Sequence, residues 1–154
     1  MANAYTKLYV HLIFSPKGRL NVFNNELSGK VEKYVFGILE HIKCPVIAIK
    51  CMPDHLHILI GLHPDHSVSE VVRLVKSNSS KHLNEIKALP GIFHWQQGYG
   101  AFSYSQSSLP NVIQYINNQQ EHHKHHSFRD EFIRLLDGFK VNYDAKYLFE
   151  PQDE

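Results

Sequence analysis

The largely apolar run Tyr5 to Phe14 is rich in aromatic and β-branched residues and stops at Ser15-Pro16-Lys17-Gly18, so it reads as a strand followed by a loop. From Asn25 to Ile42 the pattern changes. Leu27, Val31, Tyr34 and Val35, Ile38 and Leu39, and Ile42 recur at three- and four-residue steps, the signature of an amphipathic helix. Pro45 to Cys51 reads as a second strand, and Met52-Pro53-Asp54 as a short turn into a third, His55 to Ile60, which ends at Gly61. Ser67 and Glu70 have capping-box spacing and open a helix that carries Val68, Val71, Val72, Val75 and Leu83 up to Pro90-Gly91. Residues 92–107 mix aromatics with Gly and Ser, with a strand expected over Ala101 to Ser105. Ser108 and Pro110 resemble a cap and a first-turn proline, predicting a helix through Val112, Ile113 and Ile116 to about His123. A short helix follows over Phe128 to Leu136, then an extended tail from Gly138 to Glu154.

The order strand, helix, strand, strand, helix, strand predicts a ferredoxin-like α+β sandwich, an antiparallel sheet with its helices on one face and the other face left open for a site. The helix after Pro110 is then an addition to that fold. A chain of 154 residues with 43% hydrophobic content suits one domain, 1–154, with a core over about residues 5–126 and an acidic extension over 127–154. No apolar run approaches the roughly 20 residues that span a bilayer, and Met1 to Lys7 lacks the apolar centre of a secretory signal, so a cytoplasmic protein without membrane contact is expected. The two cysteines, Cys44 and Cys51, match neither a redox pair nor a zinc knuckle and are expected to be buried thiols.

Charge narrows the partner. Residues 1–126 hold 12 Lys and Arg against 8 Asp and Glu, and residues 127–154 hold 4 against 7. So slight a basic bias excludes a protein that coats nucleic acid by charge alone, which needs many phosphate contacts, and leaves room for one that grips a short defined piece. The compositional excess is in histidine, 12 in all, four of them at His122, His123, His125 and His126.

Strand alternation puts His55 and His57 on one face and Leu56, Ile58 and Ile60 on the other. Two imidazoles at i and i+2 are a natural pair of divalent-metal ligands, although such pairs also occur as plain surface histidines. Asp54, just before them, is either a turn residue or an acceptor that orients one imidazole. On the helix after Pro110, Tyr115 and Gln119 stand four apart and share a face, with His122 and His126 continuing the stripe beside the apolar edge of Val112, Ile113 and Ile116. Taken singly, Tyr115 reads as a packed aromatic and Gln119 as a solvated amide.

The combination reads differently. Met52-Pro53-Asp54-His55-Leu56-His57-Ile58-Leu59-Ile60, followed by Tyr115-Ile116-Asn117-Asn118-Gln119, resembles the single-tyrosine HUH transposases (His, hydrophobic, His), as do the opening strand and the Trp95 to Tyr104 aromatic segment. These small bacterial and archaeal insertion-sequence enzymes act on single-stranded DNA and include the REP-associated tyrosine transposases. The resemblance implies that His55 and His57 bind metal, that Gln119 completes the site, that Tyr115 is the nucleophile of a 5′-phosphotyrosine intermediate, and that the ion is Mg²⁺ or Mn²⁺. His122 and His123 stay open as alternative third ligands. It further implies a homodimer and a single-stranded DNA partner, often a hairpin end of the element.

Candidate DNA contacts are Lys17 and Arg19 after the first strand, Arg73, Lys76 and Lys81 on the second long helix, and aromatics among Phe93, Trp95, Tyr99, Phe102 and Tyr104. Two other functions remain to be weighed: a ferredoxin-like single-stranded nucleic-acid-binding module, and a metal-dependent phosphodiesterase that uses water and leaves Tyr115 structural.

Overall fold

The computed structural model describes residues 4–19 and 21–148, with the side chain of Arg19 and the residues from 149 onward outside the description. The expected alternation gives β1 (Tyr9–Phe14), then α1 (Asn25–His41), β2 (Val46–Met52), β3 (His55–Gly61), α2 (Val68–Glu85) and β4 (Gly100–Tyr104). Beyond them come α3 (Leu109–Asn117), a single turn α4 (Gln119–His122) and α5 (Phe128–Gly138). The sheet runs β2-β3-β1-β4 with every pairing antiparallel, the ferredoxin-like order.

Side-chain caps set the helix starts. Asn24 Oδ1 accepts from Leu27 N at 2.8 Å, Ser67 Oγ from Glu70 N at 3.1 Å, and Ser127 Oγ from Asp130 N at 3.1 Å, each satisfying an otherwise orphaned backbone donor. The first strand is shorter than its pattern suggested, because residues 5–8 lie outside the sheet. The helix expected to run to His123 breaks at Asn118, whose ψ of 21° leaves helical geometry, and α4 restarts from there. Paired asparagines at 117 and 118 are poor helix formers, which is why the break falls there.

On one face of the sheet Val10, Leu12, Phe14, Leu56, Ile58 and Ile60 pack under α1 and α2, with Phe23, Phe93 and Trp95 closing one end. Trp95 stands edge-on to Phe14 at 4.9 Å and donates its indole N–H to Ser79 Oγ at 2.9 Å, so Trp95 and Phe93 belong to the core. The other face is not open, contrary to the sequence expectation. Val112 and Ile116 of α3 pack on Ala48 and Leu59, while Phe128, Phe132 and Leu136 of α5 pack on Ile13 and Phe102. A Cβ on Gly100 would come within 2.6 Å of the Phe132 ring and 2.8 Å of the Ile13 side chain, so a glycine is required for α5 to approach β4 this closely. The acidic extension thus contributes a helix that covers the second face.

Candidate active site

β3 delivers His55 and His57 to that covered face, and both are fully buried. Pairing with β1 sets Ile13 opposite His57 and His11 opposite Leu59, which brings a third imidazole, His11, to the same face. His11 Nε2 lies 2.7 Å from His57 Nδ1, their rings stacked with centroids 5.0 Å apart. Asp54 Oδ1 lies 2.7 Å from His55 Nδ1, so the turn carboxylate orients that imidazole.

The centre of the site is a residue that the sequence reading passed over. Glu131, on α5, is 1% exposed. Its Oε1 lies 3.1 Å from His57 Nε2, 3.1 Å from His123 Nε2 and 3.5 Å from His55 Nε2, while its Oε2 accepts the Tyr115 hydroxyl. His122 Nε2 is 3.5 Å from Oε2 but lacks hydrogen-bond geometry there. Gln119 is fully buried, its Oε1 3.3 Å from His55 Nε2 and its amide donating to Tyr115 O at 3.3 Å. The break at Asn118 and the turn of α4 after it place Gln119 and His123 around the pair.

Glu131 was legible in one respect: Phe128, Glu131, Phe132 and Leu135 follow the i, i+3, i+4, i+7 pattern of an apolar helix face, and a carboxylate on such a face must find partners inside. His11, inside the apolar run Val10 to Phe14, carried the same signal.

The electrostatics follow from this packing. Burial drives the His11 pKa down to about 3, with His57 adding to the effect, and burial likewise lowers His57 despite its bond to Glu131. Burial alone would raise the Glu131 carboxyl, but hydrogen bonds from His123 and His57 outweigh it and hold the group well below the usual carboxylate range. His123 is raised, its bond to Glu131 overcoming the opposite effect of burial. Burial first, and then the Glu131 charge, push the Tyr115 phenol above its ordinary value. An unaided Tyr115 is therefore a poorer nucleophile here than in water.

Chemically the group could hold a metal ion. One donor atom from each of His55, His57, His123 and Glu131 lies within 4.8 Å of every other, and imidazole nitrogens with a carboxylate oxygen suit a divalent ion. Tyr115 stands beside the group, its ring 5.9 Å from that of His57, and lines a groove of about 520 Å³ with Asn111, Gln114, Asn118 and His122.

The family model of IS200-like transposases (Y1_Tnp) matches residues 4–119. The chain belongs to the IS200-like transposase family. The ISDra2 transposase TnpA of Deinococcus radiodurans is 25% identical over 120 residues, which cover 75% of this chain and 86% of that protein. The transposase of the IS200 insertion element of Salmonella typhimurium is 31% identical over 75 residues, 49% of each chain. Among solved structures, a Deinococcus radiodurans chain described as a transposase superposes with a TM-score of 0.62 at 26% identity, covering 77% of this chain and 95% of that one. A REP-associated tyrosine transposase bound to a REP hairpin shares the fold, with a TM-score of 0.59 at 15% identity over 100% of this chain and 93% of that one. As a member of the family, this transposase is a DNA transposition enzyme with the α+β architecture of those structures.

The remaining sequence candidates are spread around the transposase. Lys17 and Arg73 are exposed, and the Arg19 side chain lies outside the described residues. Lys76 is half-buried, its Nζ donating to the carbonyls of Gln96 at 2.9 Å and Gly98 at 2.5 Å, so it braces the 96–98 loop. Phe93, Trp95 and Phe102 are core residues, whereas Tyr99 is exposed. Tyr143 donates to Asp137 Oδ1 at 3.0 Å, outside the histidine cluster. Cys44 and Cys51 are free, buried thiols. Among the described residues no helix is long and apolar enough to cross a membrane.

Proposed function

We propose that this chain cleaves and rejoins single-stranded DNA at insertion-sequence ends in the cytoplasm, with Tyr115 as nucleophile and Mg²⁺ or Mn²⁺ held by His55, His57 and Gln119. The observation that carries the reading is the meeting of the Tyr115 hydroxyl with the His55 and His57 imidazoles around one carboxylate, all within one chain. The donor set fits the ion: Asp54 holds His55 by Nδ1, leaving Nε2 turned toward the oxygens of Gln119 and Glu131. A divalent ion bound there supplies Lewis-acid stabilisation of charge on the scissile phosphate.

The protein's own groups do the rest. The groove beside Tyr115 admits a strand to the phenol, whose oxygen forms the new bond to phosphorus as the bond to the 3′ oxygen breaks. Glu131 Oε2, already accepting the phenol hydrogen bond, is the adjacent acceptor for its proton, and the 3′ oxygen leaves with the bonding pair and takes a proton from solvent water to become the 3′-OH. The phosphotyrosine link conserves the phosphodiester energy, so a later DNA 3′-OH rejoins strands by the reverse attack. A REP-associated tyrosine transposase of the same fold is solved on a REP hairpin, and a hairpin end is the substrate we assign here. Lys17, Arg19 and Arg73 are its proposed backbone contacts. We also propose a homodimer in solution, tested by light scattering.

The test is to mix the protein with single-stranded DNA from both flanks of its gene, with Mn²⁺ or with chelator. A denaturation-resistant protein–DNA adduct is expected, dependent on metal and absent in Tyr115→Phe, which still binds DNA. Full cleavage by Tyr115→Phe would assign the attack to water, and binding without cleavage by the unmodified protein would leave a binding module.

A further inference from the structure

We propose that α5 completes the metal centre: Glu131 Oε1, with His123 Nε2, joins His55, His57 and Gln119 around the ion, giving a site of three imidazoles, one carboxylate and the amide oxygen that favours Mn²⁺, Co²⁺ or Zn²⁺ over Mg²⁺. The proposal rests on the reading that His55 and His57 hold a divalent ion, and it adds two ligands from beyond residue 119, where the match to the family ends.

Three observations carry it. The first is convergence. Three imidazole Nε2 atoms from β3 and the end of α4 approach the same carboxylate oxygen at 3.1, 3.1 and 3.5 Å. Ligands on one ion with bonds of about 2.1 Å stand at most about 4.2 Å apart, and these four donor atoms lie within 4.8 Å of one another. A short contraction closes the group on an ion.

The second is the direction of the hydrogen bonds. With Nδ1 held by Asp54, His55 turns Nε2 toward Gln119 Oε1 and Glu131 Oε1. Two acceptor oxygens and the free ring nitrogen of an oriented imidazole converge on one buried point, a donor set that a cation can share in place of an imidazole proton.

The third is the division of labour within the carboxylate. Oε1 faces the imidazoles and Oε2 faces Tyr115, so Glu131 can ligate through one oxygen while the other holds the nucleophile beside the ion. Phe128 and Phe132 anchor α5 to the sheet on either side of Glu131, and the Phe128 ring stacks on His55 at 4.5 Å. The ligand is therefore carried on a packed helix. Imidazole-rich sets suit late transition ions, and a single carboxylate keeps Mn²⁺ within range, whereas Mg²⁺ prefers an all-oxygen shell.

The experiment is direct metal binding by the full chain without DNA: Mn²⁺ titration followed by electron paramagnetic resonance, and Co²⁺ titration followed by visible absorption. Compared are the unmodified protein, His57→Ala, Glu131→Gln and Gln119→Ala, with circular dichroism as the check on folding. Glu131→Gln is expected to weaken Mn²⁺ binding about 100-fold, the upper end of what loss of even an outer-shell partner causes, and to shift the Co²⁺ bands. Gln119→Ala is expected to have a smaller effect. If Glu131→Gln does not fold, Glu131→Asp, which keeps the charge and shortens the reach, must still shift the Co²⁺ spectrum. Unchanged affinity and spectrum in the folded Glu131 variant, with binding lost in His57→Ala, overturns the α5 ligand and leaves the histidine pair standing. Absence of binding by the unmodified protein, or full binding by His57→Ala, overturns both.

Discussion

The two faces of the sheet are built from the same strands and held by different physics. Under α1 and α2, Leu12, Phe14, Leu56, Ile58 and Ile60 present only hydrocarbon, so that face is stabilised by removal of apolar surface from water and by close packing. One residue along each strand, His11, His55 and His57 are just as deeply buried, yet each must find a polar partner. They find one another, Asp54, Gln119 and Glu131. The first face tolerates a change of shape at a graded cost. The second is a network in which every member depends on the protonation and position of its neighbours, and that dependence makes it suitable for chemistry.

Substitutions at neighbouring residues separate the two modes. Ile58→Ala is expected to cost about 2–5 kcal/mol of stability through a core cavity, read by denaturant titration; a cost below about 1 kcal/mol would mean that the α1 and α2 face is not the main core. Metal sharpens the contrast. At a Mn²⁺ concentration about 100 times its dissociation constant, the folded state should gain about 2.7 kcal/mol, seen as a rise in melting temperature. Ile58→Ala should keep that increment and His57→Ala should lose it, and equal increments in both would sever the ion from the histidine face.

Acid should also act on one face alone. In the folded metal-free protein His11 takes up a proton only near pH 3, whereas unfolded it does so near its ordinary value of 6.5. Between those values the unfolded chain binds more protons, so stability falls as the pH drops through the window. Glu131 adds to this at lower pH. Its depressed carboxyl contributes stability that is present above the ordinary value of 4.5 and lost as the pH falls toward the folded value. The melting temperature should therefore drop from pH 7 to pH 4, with a shallower slope in His11→Phe; a flat profile would contradict the buried imidazole pair. The smallest effect is expected on the outer surface, where Arg73→Ala should weaken DNA binding evenly across sequences and reduce its salt slope by about 1.

Much of the framework was legible in the chain. Period-two alternation in β3 separates His55 and His57 from Leu56 and Ile58, and the Ser67 cap marks the start of α2 to within a residue. Tyr115 and Gln119 could be linked because four residues on a helix bring side chains to one face, and the break at Asn118 left them in contact. Glu131 was not read as part of the site, because its place there depends on α5 folding back over β4. That packing is a long-range event, allowed by Gly100 and anchored by Phe128 and Phe132 on Ile13 and Phe102.

The sequence by itself determined the order of elements and the two-faced character of the central strands, because these rest on local periodicity and spacing, while the pairing of a histidine dyad with a tyrosine helix was implied by the resemblance to the single-tyrosine HUH transposases. Only the tertiary structure decided that the histidine face is covered rather than open, that His11 joins it, and that one carboxylate from the acidic extension faces both the imidazoles and the nucleophile. Those outcomes depend on which distant segments bury each other's surface, and the local pattern marks His11 and Glu131 only as polar groups on apolar faces, without saying which partners they meet.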